Sequence, residues 1–285
     1  MKTKTRENLI GYSFIIIWIV GFLAFTLYPL INSMIYSFNE VTITGRGIEL
    51  KFVGLKNFAV IFSANGKPFY DALKNFLGEV VLRVPIILVF SIIISLLLNQ
   101  NVRFRGLFRT IFFLPVIISS GPVLNELITQ GAGGANMMSS LSFIETLKAS
   151  PSAFLSGPLA SLFSEIIIVF WFSGVQVLLF LSSLTKINKE VYEAARVDGA
   201  GPWESFWKIT LPSLKNIVFI NAIYTLVLLA TYSENAVIIS IKNNMFSIQT
   251  GYGVASAMAW AYFLVLSVLL AVVALLFMPK KERRR

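Results

Sequence analysis

The chain has no cysteine and no histidine among its 285 residues, and only 13% of those residues are charged. The absence of cysteine excludes disulfides and thiolate metal sites, and the absence of histidine removes the commonest general base. The phosphate-loop pattern G-x-x-x-x-G-K-[ST] is missing as well, so the chain has no ATP-hydrolysing site of that class. We therefore expect no catalytic residue, no metal site and no bound cofactor here.

Apolar residues, in contrast, are abundant: 56% of the chain is hydrophobic, and the mean hydropathy is +0.77. A soluble domain of this length could not bury so much apolar surface, which predicts an all-α, polytopic membrane protein. About 20 helical residues cross the hydrocarbon core, and six segments are long enough. The predicted spans are residues 9–31, 80–98, 107–128, 159–184, 217–241 and 253–278.

The basic residues predict the orientation of these spans. Of the 24 Lys and Arg residues, 16 lie at the N-terminus, between spans two and three, between spans four and five, or at the C-terminus. These four stretches share one side of a six-span protein, which the positive-inside rule makes the cytoplasm. Membrane-length apolar segments separate these basic stretches from one another, which argues against a continuous basic face that binds nucleic acid. The first apolar segment, residues 9–31, is too long for the hydrophobic region of a cleaved signal peptide. Tyr28-Pro29 also occupies the place where a signal peptide has small residues before its cleavage site.

The outer loop 32–78 is the longest external segment, and we expect it to form a small cap over the helix bundle. The cytoplasmic loop 188–212 is more strongly patterned. Asn188 is a good N-cap, and the apolar residues Val191, Ala194 and Ala195 fall on one face of a short helix. Asp198-Gly199-Ala200-Gly201 breaks that helix.

Pro202 fits the first turn of a second helix, which Pro212 is predicted to end. One side of this helix carries aromatic residues and suits the membrane interface. Two interpretations stay open from these patterns alone: a small-residue knob that docks another protein, or an ordinary re-entry loop with interfacial tryptophans. The aromatic side consists of Trp203, Phe206, Trp207 and Leu211.

In this loop EAA is followed by DGA and then by F-x-x-I-x-L-P. The pattern resembles the signature of ABC importer permeases, and its Asp-Gly-Ala form is similar to the carbohydrate-uptake, maltose-type branch. RFRGLFRTIFFLP and YGVASAM continue the similarity, whereas Lys189 replaces a frequent proline and SIKNNMFSIQT replaces a glycine-rich loop. The motif residues are Glu193, Ala194, Ala195, Asp198, Gly199, Ala200, Phe206, Ile209, Leu211 and Pro212.

The resemblance implies a type I importer permease in a bacterial cytoplasmic membrane. Its loop is the coupling helix, in which Ala194, Ala195 and Gly199 allow close docking on an ATPase and Glu193 and Asp198 form polar latches. Two separate ATP-binding subunits would use ATP and Mg²⁺. A second homologous permease, an extracytoplasmic solute-binding protein and a carbohydrate complete the expected partners.

Polar residues within the spans are costly in lipid and mark a candidate substrate path. Aromatic faces and amide groups suit sugars, although such residues also bond neighbouring helices or a partner permease. The candidates are Trp171, Gln176, Asn221, Tyr224, Tyr232, Glu234 and Asn235.

An ion-coupled secondary transporter of a small polar solute is the alternative function. It calls for ion-coupling groups near the bilayer midplane and often for repeated halves, and neither is visible. A membrane enzyme has few catalytic options without His or Cys. A channel leaves the patterned loop 188–212 unexplained.

The predicted orientation can be tested with reporter fusions. A fusion after Lys189 should behave as cytoplasmic, and one within 32–78 as external, because the basic loops are held inside. Alkaline phosphatase and fluorescent-protein reporters distinguish the two sides. The reversed pattern would contradict the assignment.

Overall fold

The computed structural model describes residues 3–45, 47–100, 106–107, 110, 153–232, 235–247 and 251–277. These residues group into two compact units. The first unit combines Met1–Asn75 with Ala236–Val265, and the second combines Phe76–Asn235 with Leu266–Arg285. The fold is mostly helical, as predicted.

The first unit begins with helix α1 (Thr3–Phe22), which passes through a π-helical turn (Leu23–Leu27) into α2 (Tyr28–Ser37). The predicted first span, 9–31, lies within this longer helical stretch. In its membrane-length part, Tyr12–Ser37, none of the most apolar window is buried. Lipid or a partner chain is left to cover these side chains, because no other described element does.

A β-hairpin follows, which the all-α prediction missed. Strands β1 (Asn39–Thr44) and β2 (Gly47–Phe52) pair antiparallel, with Val41 opposite Leu50 and Ile43 opposite Ile48. Alternate residues share a face, so these apolar pairs form one side of the hairpin, and the pairs Glu40–Lys51 and Thr42–Glu49 form the other. The alternation of side chains that is typical of a strand was present in the sequence, but it extends over shorter segments than the helical patterns on both sides.

Asn57 holds the base of the hairpin, within the first unit, by hydrogen bonds to the end of α2 and the start of β1. Its Nδ2 donates to the carbonyl oxygens of Ser37 at 3.1 Å and Asn39 at 2.9 Å, while the Asn57 side chain is buried. Asn57 lies in helix α3 (Lys56–Val60), which a 3₁₀ turn (Ala64–Gly66) connects to α4 (Lys67–Asn99). Because a buried amide with two acceptors resists displacement, the hairpin is held at its base.

Helix α4 spans 33 residues, so it is about 50 Å long at 1.5 Å per residue. It begins 13 residues before the predicted second span (Lys67 against residue 80). In the second unit its later part packs on α5 (Ala153–Leu184), where Leu98 joins Val177 and Leu181 in a buried cluster. Ser95 Oγ bridges the two helices at 2.9 Å from the Val177 carbonyl oxygen.

After α5 the second unit contains α6 (Lys189–Val197), α7 (Pro202–Ser205), a π-helical turn (Phe206–Thr210) and α8 (Leu211–Ser213). Helix α9 (Lys215–Thr231) completes its described core. Helices α10 (Ala236–Met245) and α11 (Gly251–Phe277) come next along the chain.

The predicted fifth span, 217–241, is therefore not one continuous helix. Helix α9 ends at Thr231, and Tyr232 has an extended backbone with ψ 133°. The run Thr231–Asn235 at the break is polar, but the apolar residues on both sides keep the hydropathy averaged over a membrane-length window high.

Four helical stretches in the described part of the chain are long and apolar enough to cross a membrane, or five if the bent pair Ile168–Leu184 and Lys189–Val197 counts as one span. The predicted spans 80–98 and 253–278 coincide with α4 and α11. Apart from residues 107 and 110, the predicted span 107–128 lies outside the described residues, so six spans remain a prediction.

The first unit generates a stability prediction at Gly253. A Cβ there would overlap the Asn39 carbonyl oxygen and lie 2.9 Å from Asn57 Nδ2. Gly253→Ala should therefore lower the free energy of unfolding by about 1–3 kcal/mol, because neither neighbour can retreat cheaply. Thermal unfolding in lipid nanodiscs measures the change.

Gly78→Ala is the matched control. A Cβ at Gly78 meets nothing within 4 Å, and Gly78 lies in α4. The control should be neutral or stabilising by about 0.5–1 kcal/mol, because alanine favours helix. Equal unfolding midpoints for the two variants would refute the close contact at Gly253.

Candidate functional site

Helix α6 starts as the sequence predicted. Asn188 has the extended backbone of an N-cap, and its side chain accepts a hydrogen bond from the Glu190 backbone N–H at 3.2 Å. Its Nδ2 also donates to Glu190 Oε2 at 3.0 Å. The chain bends by 66° between Ile168–Leu184 and α6, so the capped helix leaves the direction of α5.

Helix α6 ends in a tight turn that accounts for the spacing of the EAA and DGA triplets. Gly199 has φ +83°, a left-handed conformation that glycine adopts without steric cost. Its N–H bonds the Arg196 carbonyl at 3.1 Å, and the Ala200 N–H reaches back to the Ala195 carbonyl at 2.8 Å. These two bonds define a Schellman motif. A Cβ at Gly199 meets nothing within 4 Å, so backbone conformation alone calls for glycine within this chain.

The motif side chains around this turn remain largely accessible. Glu193, Ala194, Asp198 and Gly199 are exposed, whereas Ala195 and Ala200 are half-buried. The predicted single face is thus divided, because Ala195 turns toward the rest of the loop. Val197, at 88% exposed, adds an apolar group to the accessible surface instead.

A hydrogen bond joins the two helices of the loop. Tyr192 Oη and Thr210 Oγ1 lie 2.8 Å apart, and Thr210 is only 4% exposed. A cavity of about 660 Å³ lies beside this bond and is lined by Tyr192, Glu193 and Phe206 together with the end of α4. Sequence periodicity gave no signal for this pairing, because the residues lie 18 positions apart.

Pro202 takes the first position of α7, as predicted, but Pro212 does not end the second helix. The helical path continues to Ser213, because Leu211 N–H bonds the Phe206 carbonyl across a five-residue turn. This wide turn changes the hydrogen-bond register just before a proline that has no N–H to offer. The helix ends at Leu214 instead, immediately before α9.

The predicted aromatic side of this helix is a cluster of rings in mutual contact. The Trp203 and Trp207 centroids lie 5.6 Å apart, and those of Phe206 and Trp207 lie 5.2 Å apart. Trp203 is 70% exposed and Trp207 49%. Exposed tryptophans beside membrane-length helices are typical of the lipid interface.

Two of the predicted substrate-path residues are fully buried between α5 and α9. Gln176 Nε2 donates to Thr225 Oγ1 at 2.8 Å, and Asn221 Nδ2 lies 3.5 Å from the Gln176 carbonyl oxygen. Gln176, Asn221 and Thr225 are all 0% exposed. This arrangement matches the helix-bonding interpretation of these residues. Thr225 was missed, although it follows Asn221 by four residues on the same helical face.

The other predicted residues are more accessible. Trp171, Tyr224, Tyr232 and Asn235 are half-buried. Tyr232 packs edge-on against Phe172, with centroids 5.2 Å apart, and Asn235 Nδ2 donates to the Leu229 carbonyl at 3.1 Å. Glu234 lies outside the described residues.

Three buried polar atoms in this region have no hydrogen-bond partner among the described residues. They are Gln176 Oε1, Asn221 Oδ1 and Trp171 Nε1. Polar atoms of this kind are normally satisfied by protein or by ordered water. The α5–α9 contact therefore retains hydrogen-bonding capacity beyond what its own side chains use.

Comparison with known proteins decides the family. Residues 57–279 match the family described as "Binding-protein-dependent transport system inner membrane component". The chain belongs to this family. This match and the sugar-transport relatives together confirm the resemblance to carbohydrate-uptake ABC permeases that was based on the EAA and DGA triplets.

Relatives of this permease are named as permease proteins of transport systems. It is 29% identical over 283 residues to a probable ABC transporter permease protein of Bacillus subtilis, covering 94% of this chain and 90% of the relative. It is 32% identical over 210 residues to the arabinooligosaccharides transport system permease protein of the same species, covering 72% of this chain and 64% of the relative.

A solved structure shares the fold. A chain of a bacterial ABC transporter involved in the import of the acidic polysaccharide alginate superposes with a TM-score of 0.61 at 20% identity, covering 96% of both chains. At this identity the match supports the fold of the permease and not its substrate.

The buried pair predicts a measurable coupling. Thr225→Val should lower the free energy of unfolding by about 1–2 kcal/mol, because it leaves Gln176 Nε2 buried without a partner. Gln176→Leu combined with Thr225→Val should cost less than the sum of the single changes. Unfolding of the purified permease in mixed detergent measures all three variants.

Thr231→Val serves as the control. Its hydroxyl bonds the Val227 carbonyl at 2.8 Å and is exposed, so its loss should be close to neutral. Strict additivity of the two buried changes would argue against the bond between α5 and α9.

Proposed function

We propose that this permease forms one half of the translocation path of an ATP-driven importer for an oligosaccharide, and that α6 couples it to an ATPase. The observation that carries the proposal is the Schellman turn at Gly199. It ends a capped helix directly after a membrane-length helix and leaves the signature residues Glu193, Ala194 and Asp198 accessible.

The exposed surface of α6 suits a docking partner. Small side chains let another backbone approach closely, and Val191 and Val197 add apolar contact area that is 45% and 88% exposed. Glu193 and Asp198 form no ion pair within the described ranges. Their carboxylates are therefore available as polar latches to donors on an ATPase surface.

Movement of α6 would reach the spans through a continuous set of contacts. The Tyr192–Thr210 bond ties α6 to the second helix, and that helix leads through the fully buried Leu214 into α9. The Gln176–Thr225 bond then joins α9 to α5. If ATP binding closes an ATPase dimer and displaces α6, the helices follow as a group. Two states with different docking free energies suffice for coupling.

The 285 residues contain no phosphate loop, which supports ATP hydrolysis by partner subunits. We propose two such subunits using ATP and Mg²⁺, a second homologous permease and an extracytoplasmic solute-binding protein. The family description supports the binding protein. A second chain with the same fold belongs to a bacterial alginate ABC transporter in complex with an alginate pentasaccharide-bound periplasmic protein.

For the substrate path we propose a division of labour among the predicted residues. Gln176 and Asn221 hold α5 and α9 together, while Trp171, Tyr224 and Tyr232 offer half-buried aromatic faces for sugar stacking. Asn235 and Glu234, next to the break after α9, would contact sugar hydroxyls. We propose that the assembly lies in a bacterial cytoplasmic membrane, and the positive-inside rule supports an orientation with α6 on the inner side. The ion-coupled alternative has no support in the family match.

Coupling is tested at Gly199 in the importer reconstituted with its partner subunits. Gly199→Ser should reduce binding-protein-stimulated ATP hydrolysis about tenfold, because a left-handed conformation costs a residue with a Cβ roughly 1–2 kcal/mol. Membrane insertion should not change. ATP hydrolysis and sugar uptake are measured on the same vesicles.

Gly201→Ser is the matched control, since Gly201 has φ −72° at an N-cap position that serine favours. It should retain stimulated hydrolysis. Full uptake by the Gly199→Ser protein, or uptake driven by an ion gradient with no ATPase bound, would overturn the coupling role.

A further inference from the structure

A second cavity, of about 510 Å³, lies within the first unit. Residues of the 3₁₀ turn and the start of α4 line one side of it, and α10 lines the other. Its volume falls in the range of about 300–1,000 Å³ that is typical of small-molecule sites. No residue of α5, α6 or α9 is among the residues that line this cavity, and neither the family match nor the relatives assign it a role.

The side of the cavity formed by α10 is polar in a regular way. Ser240, Asn243 and Asn244 line it from α10, where their spacing of three and four residues places them on one helical face, and Ser247 lines it from just beyond the end of that helix. They belong to the run SIKNNMFSIQT. This segment brings a row of amide and hydroxyl groups to the wall of the cavity.

The opposite wall adds one more amide and an apolar floor. Asn65 lines the cavity beside Pro68 and Ala72, and Ile239 completes the apolar part. Asn65 and Asn243 are exposed, so their amides are accessible to a ligand. No Lys, Arg, Asp or Glu is among the lining residues of this described cavity.

Ser240 provides an independent sign that the site is incomplete. It is 8% exposed, and its Oγ has no hydrogen-bond partner in the described part of the chain. Asn244 Nδ2 donates to the Ser240 carbonyl oxygen at 2.8 Å and not to the Ser240 hydroxyl. Buried hydroxyls normally have a partner, and a polyhydroxylated ligand or its water shell would supply one.

We infer that this cavity is an outer subsite for a neutral oligosaccharide, in which the amides of Asn65 and Asn243 bind sugar hydroxyls over the Pro68–Ala72 floor. The inference rests on the proposed function and names the substrate class: uncharged sugar, because the lining holds no cation to neutralise a uronate. On the proposed orientation the cavity opens on the side where a binding protein delivers its sugar.

The absence of cysteine in this chain allows a site-specific test. Ala72→Cys places one thiol in the cavity of the full importer in nanodiscs, and a polar maleimide that is detected on this chain reports its accessibility. The probes are whichever of arabinotriose, lactose and maltotriose the importer takes up. At a sugar concentration about ten times the dissociation constant, labelling should slow about tenfold, because only empty sites react.

Four further measurements make the result decisive. Lys242→Cys lies on α10 outside the lining, and its labelling rate should be unchanged by sugar. Asn243→Leu in the Ala72→Cys background should remove the protection, while Asn216→Leu, an exposed asparagine of α9, should preserve it. An alginate trisaccharide should not protect.

If a sugar that the importer transports leaves the rate of maleimide labelling of Ala72→Cys unchanged, the subsite is overturned and the proposed function still stands. Equal protection by the alginate trisaccharide would overturn the neutral specificity. Absence of ATP-driven uptake for every sugar tested would instead overturn the proposed function, and this inference with it.

Discussion

The turn at Gly199 depends on one backbone constraint: a residue at φ +83° must follow the last turn of α6 for the Ala200 N–H to reach the Ala195 carbonyl. This bond leaves few free carbonyls at the helix end and directs the chain into the second helix of the loop. The Tyr192–Thr210 bond then fixes the second helix against the first. A rigid pair of helices at the end of a membrane-length helix is the result.

Lipid imposes the next constraint on the permease. Between helices in a bilayer, water does not compete for polar side chains, so bonds such as Gln176–Thr225 and Ser95–Val177 help to set which helices pack together. They also show that polar residues whose types suit a substrate path can form hydrogen bonds between helices. Gln176 and Asn221 belong to this group.

Helices α6 and α10 use polar residues in different ways. At α6, the exposed carboxylates of Glu193 and Asp198 suit a protein partner, because ion pairs and charge-assisted hydrogen bonds give a docked helix its register. At α10, uncharged amides and hydroxyls suit a ligand with many hydroxyl groups and no charge. Coupling and sugar recognition would thus depend on different chemistry at sites far apart along the chain.

The membrane class, three of the spans in outline, the N-cap at Asn188 and the break at Gly199 all followed from the sequence, because each depends on residues within a few positions of one another. Hydropathy, capping and glycine conformation are local effects. The EAA and DGA triplets also lie within a few positions of one another, so the sequence alone was enough to recognise their spacing.

Tertiary structure decided what depends on residues distant in the chain. It paired Tyr192 with Thr210 and Gln176 with Thr225, brought Asn57 and Gly253 to the base of the hairpin, and set Asn65 across a cavity from Asn243. These outcomes follow from packing between elements, in which each side chain's partner depends on where another helix lies, and no local pattern in the sequence carries that information.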